Sequence, residues 1–495
     1  MNFRATFYKP TLVGLAALLL CGTSRMQNLL NADRGKLGFT VLEPLENAPP
    51  ILAFTTVALG GFRGLISNVL WIRADELQDE GRYFEMVQLA DWISKLEPHF
   101  ATVWIMQAWN MAFNISVKCK DFEERWRWVQ RGLQLLQEGI KYNPGDITLY
   151  KELSWFFRFK IGQNLDDAHM LYKYRWAQQM QDVLGGHPDF PALLNPRTPE
   201  ERERVRKLRE DYQMDPAIIQ EIDTNYGPLD WRLPDAHAIY WAEMGVRNGT
   251  VGTNFADILR RFPAQELAAS CFRGSALPPW VQRVTPENFI LWPNLDMVTN
   301  VNAAYERTQL DDPSQKKTAQ GAQKNFLKDA IILLYEYNRT REAAYWFDYV
   351  RQNFTNAFTP EEAGGGVENY ALAQINSSIN EHDQNKAHAL ILGLLFQEDL
   401  ELIADQDKDA QRFNLVAHAV WDHYQSRLTG DAKDKERVSL KPFGDLEGFE
   451  FTAVTNMVSP QAAAKLSAKL GLSPAGNPPA TNAPPPAPEA APPTT

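Results

Sequence analysis

The chain has 495 residues, of which 44% are hydrophobic and 22% charged, and its 50 Lys and Arg against 61 Asp and Glu leave a net charge of −11. This composition excludes a wholly disordered chain and a multi-span transporter, and the acidic balance argues against nucleic-acid binding by phosphate neutralisation. The length allows roughly three domains, unless a repeat array forms one body. Cys21, Cys119 and Cys271 are too few for a disulfide framework or a four-thiolate zinc site.

At the amino terminus, Arg4 and Lys9 precede Thr11 to Cys21, a run of 11 residues without charge. A basic region before a short apolar run is the pattern of an export signal. The uncharged stretch from Pro10 to Ser24 covers 15 residues, short of the ~17 to 25 needed to cross a bilayer as a helix. Residues 1–24 therefore read as a signal peptide or a membrane anchor, with cleavage open. Residues 25–66 form a linker leading into a second apolar stretch, Ile51 to Ile72, interrupted by Gly60-Gly61 and Arg63. A charge near its middle makes a span costly, so a buried or membrane-surface helix is expected.

Residues 67–180 carry an internal repeat. Pro98 and Pro144, Trp104 and Tyr150, Trp109 and Trp155, and Phe113 and Phe159 are each 46 apart in one register. Within the repeat, Tyr150, Leu153, Ser154 and Phe157 fall on one face of a helix. Trp128, Gly132, Leu135, Leu136, Gly139 and Ile140 follow the same rule until Asn143-Pro144, where a helix must stop. Each unit is expected to be a helical hairpin.

The stretch from Gln78 to Trp104, with Gly81, Tyr83, Leu96 and Pro98, resembles the tetratricopeptide repeat, as does Tyr150 continued through Ala168-x3-Tyr172. Met86 and Ala90 depart from the family pattern, and the second unit is 46 rather than 34 residues long. Its extra residues are expected around Ser116 to Glu124. The resemblance implies an all-α solenoid whose first helices face a concave groove, with Trp109, Asn110, Phe113, Trp155 and Phe159 on or near it. It does not extend to carboxylate clamping. Where chaperone-binding members carry Lys, Asn and Arg, this chain has Trp71, Asp75, Met106, Thr148 and Glu152, and Asp75 and Glu152 would repel a carboxylate.

Residues 181–300 read as an irregular helical region. Thr198-Pro199-Glu200-Glu201 is a capping box opening a helix to about Tyr212. Helical periodicity returns over 301–430 as degenerate repeats, including Ala330, Leu333, Leu334 and Tyr337, followed by a segment at 431–472. Residues 473–495 hold 9 prolines and almost no charge, which predicts a disordered or polyproline-like tail.

No catalytic or metal motif stands out, and no cofactor is implied. Asp230, Asp235, His237, Tyr240 and Glu243 form the tightest polar cluster, but six residues separate His237 from Glu243. One helix cannot aim both at one atom, and helix capping with packing is the expected role of Asp235 and His237. Gly364-Gly365-Gly366 lacks the lysine of a phosphate loop and reads as a bend.

The resulting expectation is a membrane-attached or exported scaffold that docks a protein or peptide segment on its aromatic groove. Packing is the stronger expectation for the rings themselves, with later helices filling the groove; docking is what they supply if it stays open. The alternatives are an enzyme with a site in 181–300 around Asp235 and His237, and a structural subunit of an integral membrane complex. The sequence names neither the partner nor the oligomeric state.

Overall fold

A computed structural model of the chain describes residues 63–250 and most of 298–471, together with isolated positions within 14–29 and 277–297. Most of the expected signal or anchor, residues 51–62 of the second apolar stretch, and the proline-rich tail lie outside the described residues. Among those described, 79% are helical and no strand occurs. No described helix is long and apolar enough to cross a membrane. The chain divides into two compact units, 1–224 with 231–266, and 225–230 with 267–495, a division that falls inside the 181–300 segment.

The first unit begins with α1 (Arg63–Asp79) and α2 (Tyr83–Leu96), joined at Gly81, whose φ of 73° is the left-handed conformation that favours glycine. Then come α3 (Ala101–Trp109), a π turn (Asn110–Ile115), α4 (Phe122–Tyr142), α5 (Ile147–Trp155), a second π turn (Phe156–Ile161) and α6 (His169–Val183). The expected insertion around Ser116 to Glu124 coincides with the short 3-10 turn Ser116–Lys118 and the start of α4. Asp121 and Asp146 accept from the N–H groups of Glu123 (3.2 Å) and Thr148 (2.9 Å), which starts α4 and α5.

Several features recur at the 46-residue spacing. The Trp104 indole donates to the Pro98 carbonyl at 2.9 Å, and the Tyr150 hydroxyl donates to the Pro144 carbonyl at the same distance. Both π turns close in the same way, Ser116 N–H on the Met111 carbonyl and Gly162 N–H on that of Phe157. The two segments thus share backbone shape as well as residue pattern.

Later elements of this unit are α7 (Phe190–Leu194), α8 (Pro199–Glu210), α9 (Pro216–Tyr226) and α10 (Pro234–Asn248). The Thr198–Glu201 capping box is formed, and α8 ends at Glu210, slightly short of Tyr212. α10 packs along α5: Ser154 Oγ donates to the Ala238 carbonyl at 2.7 Å, and the Tyr150 and Trp241 rings lie 6.3 Å apart.

The second unit contains α11 (Val298–Asp311), α12 (Lys316–Glu336), α13 (Thr340–Asn353), α14 (Pro360–Ser377), α15 (Gln384–Ile403), α16 (Asp407–Ser426), α17 (Phe443–Met457) and α18 (Pro460–Leu470). The glycine triplet lies within α14, where Gly366 adopts φ 78°, ψ 173° and bends the helix. Phe413, Val416, Ala417, Val420 and Tyr424 of α16 form one buried stripe against Ile391, Leu394 and Leu395 of α15. A Ser459 cap, Pro460 in the first turn and left-handed Gly471 delimit α18.

Close approach decides the packing of α4. A Cβ on Gly139 would lie 2.8 Å from Trp104 Cγ and 3.1 Å from Leu149 Cδ2, and one on Gly132 would lie 3.0 Å from the Ala108 carbonyl oxygen. Gly393 on α15, by contrast, has no neighbour within 4 Å of such an atom. Overpacking costs about 1–3 kcal/mol, whereas replacing glycine in an open helix gains up to about 1 kcal/mol. Gly139→Ala should lower the denaturation midpoint and Gly393→Ala should raise it, an opposition that chemical unfolding of the two variants will reveal.

Candidate functional site

The five residues singled out on α3 and α5 come together. Trp109 stacks on Phe113 with centroids 4.4 Å apart, Trp109 meets Trp155 at 4.9 Å, and Trp155 stacks on Phe159 at 4.7 Å. The rings form one row, Phe113–Trp109–Trp155–Phe159, and all four are neither fully buried nor fully exposed, as is Asn110. Each Trp–Phe stack spans a π turn, the motif in which one extra residue enters the helix and re-aims the side chains around it.

The row rests on a fixed floor. The fully buried Phe156 ring stands edge-on to Trp109 at 5.9 Å and to Phe113 at 5.3 Å. Glu152 accepts from the Trp109 indole at 2.9 Å and pairs with Lys151 at 2.6 Å, fixing the rotation of that ring. The Arg158 guanidinium lies 4.7 Å from the Phe159 centroid, and the Lys160 ammonium 4.9 Å from that of Phe113.

Two hydrogen-bond donors beside the row are unused. The Trp155 indole N–H and the Asn110 amide N–H2 donate to no described residue, although Asn110 Oδ1 accepts from Asn114 at 2.5 Å. Part-exposed rings with unused N–H groups offer apolar contact and direction at one place.

Behind the second π turn lies an ionic knot that sequence reading missed. Lys160, on 4% exposed, pairs with Asp166 at 2.6 Å; Asp166 also accepts from the Tyr172 hydroxyl at 3.1 Å and meets Arg125 at 3.3 Å. Arg125 additionally pairs with Asp167. Burial alone would raise Asp166, but the Lys160 ammonium and the Ala168 N–H outweigh it and hold the carboxyl at about 2. Burial pulls the Lys160 ammonium down, opposed by Asp166. The nearby sequence, Lys160 to Asp167, is a mixture of charged and polar residues that reads as a loop, so nothing in its spacing marks the knot.

Asp235 and His237 are both buried in the first turns of α10. His237 is sealed between Phe157, stacked at 5.3 Å, and the edges of Trp176 and Trp231; its Nε2 lies 3.0 Å from the Trp231 carbonyl and its Nδ1 has no partner. Burial pushes its pKa down to about 4. With an exposure of 0%, the imidazole offers no contact to a solvent-borne substrate in this structure. Among the described residues, no group of three or more His, Cys, Asp or Glu could hold a metal ion.

In the second unit, Asn414 donates to Glu398 and Glu447 at 2.9 Å each, between α15, α16 and α17. Burial, then the charge of Glu398 and its neighbours, pushes Asp399 up to about 8; burial, then Asp409, raises Glu401 to about 7. These groups favour the neutral form.

No protein-family model, curated protein or solved structure significantly matches the chain.

Two outcomes test the electrostatics. Removing one partner of a buried ion pair costs ~3 kcal/mol when the other charge is left alone, and less where other partners remain. Because Asp166 keeps Arg125, Tyr172 and the Ala168 N–H, Lys160→Met should lose stability by less than that in equilibrium unfolding, and adding Asp166→Asn should recover part of the loss. Against pH, the two units should move oppositely. His237 is held neutral, so its contribution is complete above its unfolded value of 6.5 and is lost as pH falls toward 4. Asp399 and Glu401 are held protonated, so their contribution is complete below about pH 4 and is lost as pH rises toward 7 and 8. Hydrogen exchange corrected for intrinsic rates, run from about pH 5 to about pH 8, should show protection rising around 234–242 and falling around 443–457.

Proposed function

We propose that this chain is a tetratricopeptide-like interaction scaffold, membrane-attached or exported through its first 24 residues, which docks an extended segment of a protein partner along the Phe113–Trp109–Trp155–Phe159 row. The observation that carries the reading is the row itself: four adjoining part-exposed rings with the unused Asn110 and Trp155 donors beside them. An extended segment leaves its carbonyl oxygens free to accept from such donors while its apolar side chains cover the rings. Aromatic anchors of this kind dominate binding energy where they occur.

α10 supports the reading by what it leaves open. It covers the Tyr150, Ser154 and Phe157 face of α5, and the neighbouring Trp155 and Phe159 face stays half-buried. Among the described residues, the hydrogen-bond and ring contacts of this later helix with α5 and the second π turn lie on the Tyr150, Ser154 and Phe157 side rather than on the row.

Crosslinked capture from native membranes tests the proposal. Trp109→Ala combined with Trp155→Ala should reduce recovery of specific partners at least about tenfold, corresponding to the loss of one strong anchor. Because those rings also pack on Phe156, Asn110→Ala provides the second arm: it should weaken capture without shifting the unfolding midpoint. Unchanged capture by both variants, with circular dichroism intact, would exclude the row as the docking surface.

A further inference from the structure

We propose that the outward face of the first half of α1 lies on a lipid bilayer, giving the protein a membrane contact additional to its first 24 residues. This extends the membrane-attachment part of the functional reading and does not depend on the aromatic row.

The argument begins with a change of character along one helix face. Ser67, Ala74 and Leu77 are buried and define the inward side of α1, whereas Val69 and Ile72 are 59% and 64% exposed. Glu76 is seven residues beyond Val69, two helical turns along the same side. On that side the residues after Ile72 are Arg73, Asp75, Glu76, Asp79 and Glu80. Arg73 reaches Glu76 at 2.8 Å and Glu80 at 3.7 Å, forming a solvated ionic network. The described outward face carries Asn68, Val69 and Ile72, without a charge, before residue 73 and charged residues after it.

A face docked along its length on a protein would not switch to a charged network at one level. A bilayer imposes such a level, because its interface divides apolar from hydrated surroundings over a short distance. The apolar half is also the half that joins Ile51 to Phe62, a stretch without charge. Across Ile51 to Ile72 the one charge is Arg63. Nearer the amino terminus, Leu18, Leu19, Met26 and Leu29 are helical and exposed, with relative exposures from 63% to 73%. Two separated apolar surfaces toward the same end of the chain fit one lipid phase.

Site-directed spin labelling of the full chain tests this. Cys21, Cys119 and Cys271 are replaced by Ser, and a nitroxide is placed through Val69→Cys, Ile72→Cys, Glu76→Cys or Asp79→Cys, one at a time. Each protein is reconstituted into phosphatidylcholine–phosphatidylglycerol vesicles. Flotation reports attachment, and collision with oxygen or with a water-soluble nickel chelate reports the surroundings of each label. Oxygen collisions should dominate at 69 and 72, and nickel collisions at 76 and 79. Floating protein with nickel-dominated labels at all four positions would place α1 in water and overturn the inference while leaving attachment through the first 24 residues intact. Low collision with both reagents at 69 and 72 would mean that protein covers the face, also overturning it; dilution with unlabelled chain then identifies a second copy as the cover. Failure to float would overturn both this contact and the attachment reading.

Discussion

The close approach of α4 to α3 sets the geometry from which the rest of the first unit follows. Gly132 and Gly139 stand two turns apart on α4, and at both positions the space that a methyl group would occupy is taken, by the Ala108 carbonyl at one and by Trp104 at the other. Trp104 is held in place by its hydrogen bond to Pro98, and Leu149 of the next unit meets the same glycine. One contact therefore joins a hairpin to its successor. If α4 stood further out, α5 would shift with it, and the 4.9 Å meeting of Trp109 and Trp155 would open. The aromatic row is thus a consequence of backbone packing several residues away from any of its rings.

Buried ionisable groups are accommodated in two opposite ways. The knot around Asp166 keeps full charges inside the protein because each has several partners: an ammonium, a guanidinium, a phenol and a backbone N–H converge on one carboxylate. Desolvation is offset by hydrogen bonding there, and the knot ties the residues after the second π turn to α4 and α6. Around Asp399 the neighbours carry the same sign, with Glu398, Glu447 and Glu450 close by. Burial among like charges makes the protonated form the one of lower free energy. His237 follows the same logic with the opposite charge type, remaining neutral within an aromatic shell.

Much of this architecture is legible in the residue pattern because helices announce themselves through periodicity and caps. The 46-residue register predicts paired segments, and the structure pairs their hydrogen bonds and their π turns residue for residue. Thr198-Pro-Glu-Glu predicts a helix start that is formed as a capping box. The π turns themselves are not legible: Asn110–Ile115 and Phe156–Ile161 have buried residues at spacings that an α-helix also accommodates, and no residue type signals the wider turn. Nor is the position of α10 legible, since its contact with α5 joins residues more than eighty apart through one hydrogen bond to a backbone carbonyl and a pair of rings. Local pattern reports a helix and its apolar face; it does not report which distant element covers that face.

The stacked arrangement of the row bears on what it can distinguish. Because the four rings contact one another and the Phe156 floor, their orientations are set, and a partner docking as proposed would cost little further side-chain freedom. The same stacking covers part of each ring face, so only the remainder is available as apolar surface. Such a surface attracts many apolar side chains almost equally, because apolar contact is proportional to area and indifferent to direction. Discrimination must then come from directional groups. Asn110 and Trp155 present N–H donors, Glu152 is occupied by Trp109 and Lys151, and Arg158 adds positive charge at the Phe159 end. A segment that brings carbonyl oxygens to these donors gains what one presenting only donors cannot, since the latter would leave buried polar groups unpaired on both sides. Under the docking proposal, affinity on this surface would come from the rings and selectivity from the polar atoms beside them.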